Sequence, residues 1–243
     1  MSLPTWIVTD LDETLLHNDR TISARSLDAI AKMREMGIRF AIATTRSKDH
    51  AKPYLDIFAP DAMVLSGGAV GYMAKELIYE RPLEDSHAHR LFSLFDGTRT
   101  VENFVVDTPS GRLSKEMVSS GGHPDTVYSM FVWVHEGRSI SEIDDESGDA
   151  LYTLLWEPRM YRISHRKATK AEALRHMLGD VAPDSVLCFG DDLMDIGMLR
   201  HFHGVAVANA KQEAKRAARA ITLSNEEDGV AFWLERLQRN WIA

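Results

Sequence analysis

The chain is patterned in two periods. Trp6-Ile7-Val8 forms the centre of a short apolar run, Thr5–Thr9, which reads as a buried strand. Ser23 stands at a helix N-cap position, Leu27, Ile30 and Met33 recur at helical spacing, and Gly37 closes the segment. A second strand is predicted over Ile38–Ala43, a second helix over Ser47–Phe58 and a third strand over Ala62–Leu65, followed by Ser66-Gly67-Gly68. Strand–helix–strand spacing of this kind implies parallel strands joined by right-handed crossovers.

The alternation returns at the far end. Lys170–Leu178 reads as a helix, Ser185–Phe189 as a buried strand, and a helix is expected to run from the Gly190-Asp191-Asp192 turn to about Arg200. Val205–Ala208 and Ile221–Leu223 read as strands, with helices at Lys211–Arg219 and Asp228–Asn240. The middle is different. It carries turns at Ser119-Ser120-Gly121-Gly122 and Glu146-Ser147-Gly148-Asp149, and β-rich runs at Val127–Val134, Leu151–Trp156 and Tyr161–Ser164, with a possible helix at Ser86–Phe95. The expected fold is α/β: a Rossmann-like parallel-sheet core over residues 1–80 and 164–243, with an α+β unit inserted at 81–163.

Composition narrows the function. With 243 residues, 44% of them apolar, real cores are possible. A net charge of −8 makes the chain a poor general binder of nucleic acid or anionic membrane, and no run of apolar residues is long enough to span one. An acidic enzyme acting on phosphorylated substrates would need local cations. The single Cys188 sits between Leu187 and Phe189, a buried strand position that fits a reducing cytoplasm. The first residues show no signal-peptide pattern, and a cytoplasmic protein, monomer or homodimer, is expected.

Chemistry enters where strands end. Asp10-Leu11-Asp12-Glu13-Thr14 leaves the first strand, and in α/β sheets the strand ends carry the site. One carboxylate of such a pair can attack or bind a metal while the other moves protons. Thr44-Thr45-Arg46 follows the second strand, Lys170 opens a helix, and Gly190-Asp191-Asp192-Leu193-Met194-Asp195 follows another strand. Each signal alone has a bland reading: a turn or cap for the aspartates, a cap for Thr44, a solvated surface charge for Lys170. Together, in this order, they resemble the haloacid dehalogenase superfamily of phosphatases. The tail, Val205-Ala206-Val207-Ala208-Asn209-Ala210, Lys215 and Ser224-Asn225 through Asp228-Gly229-Val230-Ala231, resembles its Cof-like branch, which carries a cap between the second and third motifs. The stretch from Thr44 to Lys170 is far longer than a crossover needs, so the excess falls where that branch has its cap.

The resemblance implies an aspartyl-phosphate mechanism. Asp10 would be the nucleophile and Asp12 the acid and base, a role that burial and the neighbouring Asp10 would tune. Mg²⁺ would be held by Asp10, Asp191 and the backbone carbonyl of Asp12, with Asp195 binding or orienting from behind. Thr44 would contact phosphate and Lys170 would neutralise charge, while Thr45, Arg46, Gly67 and Gly68 would bind substrate. His123, Trp133, Tyr161, Arg162 and His165 are candidates to face the cleft, and Tyr128, Trp133 and Trp156 are expected to pack inside the cap. The expected substrate is a small phosphorylated metabolite, a sugar phosphate by analogy. A phosphomutase using the same intermediate and a non-catalytic metabolite-binding protein remain alternatives. Halide displacement fits less well, because it has no need of Asp12.

Three positions depart from the pattern. Glu13 replaces a common Gly, Met194 a usual Asn, and Gly67 a frequent Asn. None removes a proposed nucleophile, acid, ligand or cation.

Overall fold

A computed structural model describes residues 3–142, 150–155 and 159–242. Its first sheet is built from both ends of the chain. The strands are β1 (Trp6–Thr9), β2 (Arg39–Ala43), β3 (Ala62–Leu65), β4 (Val70–Met73) and β5 (Glu76–Glu80), then β11 (Val186–Gly190), β12 (His203–Ala206) and β13 (Ala220–Ile221). Their order is β13-β12-β11-β1-β2-β3-β4-β5. The first six in that order are parallel, and β4 and β5 extend the edge as an antiparallel hairpin.

β1 is central and buried on both faces. Ile7 packs with Ile30 and Met33 of α1 (Ala24–Glu35) and with Val230 and Leu234 of α8 (Gly229–Ile242). Trp6 and Val8 pack on the other face against Leu174 and Met177 of α5 (Lys170–Leu178) and Met198 of α6 (Ile196–His201). Such burial stabilises by roughly 1.5–3 kcal/mol per large apolar side chain. The chain winds outward from β1 through β2 and β3 on one side, and through β11, β12 and β13 on the other. The strand order therefore reverses between β1 and β11, and a crevice opens at their C-terminal ends.

A second, antiparallel sheet has the order β7-β6-β8-β10-β9. It comprises β6 (Val101–Thr108), β7 (Gly111–Ser114), β8 (Ser129–Val134), β9 (Ala150–Leu154) and β10 (Met160–His165). One face carries Phe104, Val106, Met130, Val132 and Ile163, covered by Leu91, Phe92 and Phe95 of α3 (Asp85–Gly97) and Val118 of α4 (Lys115–Gly121). Period-two alternation puts Asp107, Ser129, Phe131, Arg162 and Ser164 on the opposite face. All five are buried.

The departures from sequence expectation are local. Ser119-Ser120-Gly121 forms the end of α4 rather than a turn, and Gly122 at φ 86° stops it. The strand expected at Val205–Ala208 sits two residues earlier, and the last strand is Ala220–Ile221. Helix α2 is Lys48–Phe58 and α7 is Gln212–Ala217. Tyr128 is buried as expected, but against Ala51, Leu65, Ala69 and Val70 rather than within the second sheet's own core. The expected Glu146–Asp149 turn and Trp156 lie outside the described residues.

Candidate active site

Three of the four motifs meet in one buried cluster. Asp10 leaves β1 with its N–H donating to the Phe189 carbonyl of β11 at 3.1 Å. Lys170 opens α5, where Thr169 accepts from Glu172 N as N-cap, and the lysine is 1% exposed. Its Nζ lies 2.8 Å from Asp10 Oδ1 and 2.6 Å from Asp195 Oδ1. Asp195 accepts the backbone N–H groups of Asp191 and Asp192 on its other oxygen, at 3.0 and 3.2 Å. Both oxygens of Asp195 are thus occupied in shaping the loop after β11. Asp191 is held by Thr14, whose hydroxyl donates to Oδ1 at 2.6 Å. Thr14 belongs to the opening motif, but its partner was not legible from that motif alone.

Charge balance in this cluster is unfavourable without a further cation. Oxygens of Asp10, Asp191 and Asp195 lie within 4.8 Å of one another, all buried, against one lysine. Burial foremost, and neighbouring carboxylates after it, push Asp10 up to about 7 and Asp191 up to about 9. Lys170 is held well above the ordinary lysine range by its two carboxylates, against the pull of burial. Hard oxygen donors in excess of local positive charge fit a divalent cation.

Asp12 stands apart from this cluster. Its side chain is 43% exposed, so the burial expected for it is absent. Both carboxylate oxygens are gripped by Arg46, Nε at 2.7 Å and Nη2 at 2.5 Å. This forked pair joins the first and second motifs. Arg46 also stacks 4.7 Å over Tyr54. Thr44 is fully buried, and its hydroxyl accepts from Arg46 N at 3.2 Å. It is no helix cap, since Ser47 holds that position. Thr45 is half-buried beside it.

The Ser66–Gly68 turn closes this edge of the site. Gly67 sits at φ 67°, and its N–H donates to the Thr44 carbonyl at 3.0 Å, so that N–H is not free for substrate. Gly68 sits at φ 105°, and a Cβ there would lie 2.1 Å from the Thr169 backbone. Only glycine allows this turn to press against the start of α5.

Of the five cleft candidates, the structure brings one, Arg162, to this turn. Its guanidinium donates to the Ser66 carbonyl. His123 stacks on Phe92 of α3, Tyr161 packs on the second sheet's core, and His165 accepts from Lys167 N in its own turn. Trp133 is half-buried on β8. Residues outside the motifs also support the site. Asn209 donates to the Glu13 carbonyl at 2.7 Å and accepts from Asn225 N, while Asn225 donates to the Leu16 carbonyl. Their presence in the Asn209 and Ser224-Asn225 tail was the sequence signal.

The fold and the site together define a hydrolase. The chain belongs to the haloacid dehalogenase-like hydrolases, whose family model matches residues 7–154 and 135–234. Within them it is a phosphatase-type enzyme of the Cof-like branch. It is 24% identical to the putative phosphatase YkrA of Bacillus subtilis (strain 168), over 94% of this chain and 95% of that one. A haloacid dehalogenase-like hydrolase of Bacteroides thetaiotaomicron superposes with a TM-score of 0.84 at 22% identity, over 96% of this chain and 99% of that one. A HAD subclass IIB sugar phosphatase superposes at 0.80 with 20% identity, over 96% and 99%.

Proposed function

We propose that this chain is a Mg²⁺-dependent phosphatase of a small phosphorylated metabolite, a sugar phosphate, acting through an aspartyl-phosphate on Asp10. The observation that carries it is the Asp10 carboxylate, buried at a strand end, 2.8 Å from Lys170 and grouped with Asp191 and Asp195. The sugar preference is supported by the solved sugar phosphatase of the same fold.

The Asp10 oxygen attacks phosphorus, and the bond from phosphorus to the leaving oxygen breaks as Asp12 gives that oxygen a proton. Water then attacks the phosphoryl group, Asp12 takes its proton, and Asp10 is released with inorganic phosphate. Lys170 offsets charge on Asp10 and on the transferring group. Thr44 and its loop bind phosphate oxygens beside Thr45. Arg46 orients Asp12, and one arm of its fork must yield while the proton moves. Asp10, Asp191 and, behind them, Asp195 would hold the divalent cation, which supplies electrostatic stabilisation of phosphate oxygens when bound. Residues 81–163 would act as a cap that excludes water.

The test is phosphate release from p-nitrophenyl phosphate and a panel of sugar phosphates, with Mg²⁺ and with chelator. Turnover should need Mg²⁺ and vanish in Asp10→Asn. Saturable binding of sugar phosphates with no Mg²⁺-dependent turnover in the wild type would overturn the reading in favour of a binding protein.

A further inference from the structure

Among the described residues, two cationic side chains are fully buried, Lys170 and Arg162. Lys170 has two carboxylate partners. Arg162 has no carboxylate within ion-pair distance among the described residues. Its Nη1 donates to Ser164 Oγ at 2.6 Å, its Nη2 to the Ser66 carbonyl at 2.5 Å, and its Nε has no protein partner among the described residues. The charge of Asp107, buried on the same face, favours the Arg162 cation, but its carboxylate already accepts from Arg112 and Ser129 and makes no ion pair with it. Burial draws Arg162 down to about 10, which still leaves it charged at neutral pH. A desolvated guanidinium with one idle donor is costly, so its place calls for a compensating role.

The other half of the contact is a turn shaped to receive it. Ser66 at φ 48° and Gly67 at φ 67° are both left-handed, a conformation that costs a non-glycine residue. A Cβ on Gly67 would lie 2.6 Å from Arg162 Nη2 and 2.7 Å from Cζ, so the guanidinium occupies the space a side chain would fill. The same turn donates from Ser66 N to the Arg46 carbonyl and from Gly67 N to the Thr44 carbonyl, and Gly68 abuts Thr169 and Lys170. One side chain from the second sheet therefore bears on the turn that joins three parts of the candidate site.

We propose that Arg162 is a positioning residue: docked on the Ser66 carbonyl in the space left by Gly67, it latches the five-stranded sheet onto the Ser66–Gly68 turn and so fixes Thr44, Arg46 and Lys170 for phosphoryl transfer. This rests on the phosphatase reading and adds a positioning residue to it. The bond to Ser66 favours the docked state, and the idle Nε, which water would satisfy on release, opposes it.

The test uses the full chain and three variants, Arg162→Met, Arg162→Lys and Gly67→Ala. It reads amide hydrogen exchange across residues 66–69 with Mg²⁺ and inorganic phosphate, thermal midpoints, and kcat and KM on p-nitrophenyl phosphate. Arg162→Met should keep its thermal midpoint, since an apolar replacement removes a buried charge. Its exchange in the turn should speed about tenfold or more, and kcat should fall about tenfold or more from lost positioning. Arg162→Lys should recover part of both. Gly67→Ala, which crowds the guanidinium while leaving it in the chain, should reproduce the loss and is decisive if Arg162→Met does not fold. Unchanged exchange and unchanged kcat in folded variants overturn the latch. Exchange does not depend on turnover: if the wild type is inactive yet its variants open the turn, the phosphatase reading fails and the latch stands.

Discussion

Asp10→Asn should abolish activity and make the metal-free protein more stable. The Asp10 carboxyl is raised from 3.8 to about 7, with burial the largest cause, the Lys170 ammonium opposing it and the charge on Asp195 adding to it. Above pH 7 the folded chain holds Asp10 ionised at a cost that the unfolded chain does not bear. At about 1.36 kcal/mol per pH unit, that cost is about 4 kcal/mol. Asparagine has nearly the same shape and still accepts a hydrogen bond from Lys170, which keeps Asp195 at 2.6 Å. For a chain of this size each kcal/mol moves the thermal midpoint by about 2–4 °C, so a rise of about 8 °C or more is expected in chelator at pH 8. The assay is thermal unfolding of both proteins in chelator and again in saturating Mg²⁺. Mg²⁺ should raise the wild type more than the variant, because the variant has lost a ligand, and the gap should narrow or invert. If Asp10→Asn melts below the wild type in chelator, the strained-cluster account of this site is wrong.

The same cluster sets a pH dependence. Asp10 at about 7 and Asp191 at about 9 bind protons in the folded state that the unfolded chain has already lost above the ordinary carboxylate range. Stability of the metal-free protein should therefore fall as pH rises from about 4 to 9, and Mg²⁺ should flatten the fall. A midpoint that climbs with pH in chelator across that window would contradict it. Gly68→Ala should cost about 3 kcal/mol or more, since its Cβ meets the Thr169 backbone. Gly122→Ala, also at positive φ but with nothing within 4 Å, bears backbone strain alone, about 1–3 kcal/mol, and should cost less than Gly68→Ala by denaturant unfolding; equal costs would refute the contrast. Arg46→Lys should leave the thermal midpoint nearly unchanged, because the pair with Asp12 is partly exposed. It should lower kcat about tenfold or more by loosening Asp12, and an unaltered kcat and pH–rate profile would show that the fork is idle.

What the sequence revealed depended on how local each cause was. The strands at Trp6–Thr9, Ala62–Leu65 and Val186–Gly190 are buried on both sides, and their apolar runs were plain. β4, β5, β6 and β7 were not anticipated. Glu76–Glu80 is mostly exposed at the sheet edge, and Gly111–Ser114 is half-exposed throughout, so neither shows a clean alternation. Ser119-Ser120-Gly121 carries turn residues yet stays helical, because Ser120 returns its hydroxyl to the Glu116 carbonyl and Val118 anchors the turn below. That Asp10, Lys170, Asp191 and Asp195 lie together follows from motifs that end strands and, for Lys170, open a helix, which the residue pattern displays locally. Their partners were not legible, since Thr14 to Asp191 and Arg46 to Asp12 are made only once the sheet has brought distant segments together.

The three departures show the same limit from the other side. Glu13 is left-handed at φ 56°, which explains why a glycine suits that position. Its side chain is exposed and so unconstrained in bulk, and its carbonyl is tied down by Asn209. Met194 leaves no gap in the loop's hydrogen bonding, because Asp195 accepts two of the loop's N–H groups and Asp192 accepts Leu193 N. Gly67 lacks a side chain where a guanidinium now lies. The residue that makes the departure tolerable lies 196 positions away for Glu13 and on another sheet for Gly67, and for Met194 it is supplied by the turn's own acids. A departure from a motif is therefore weak evidence of lost function until its spatial neighbours are known. Here those neighbours leave Asp10, Lys170, Asp191 and Asp195 grouped and buried, with Asp12 held by Arg46.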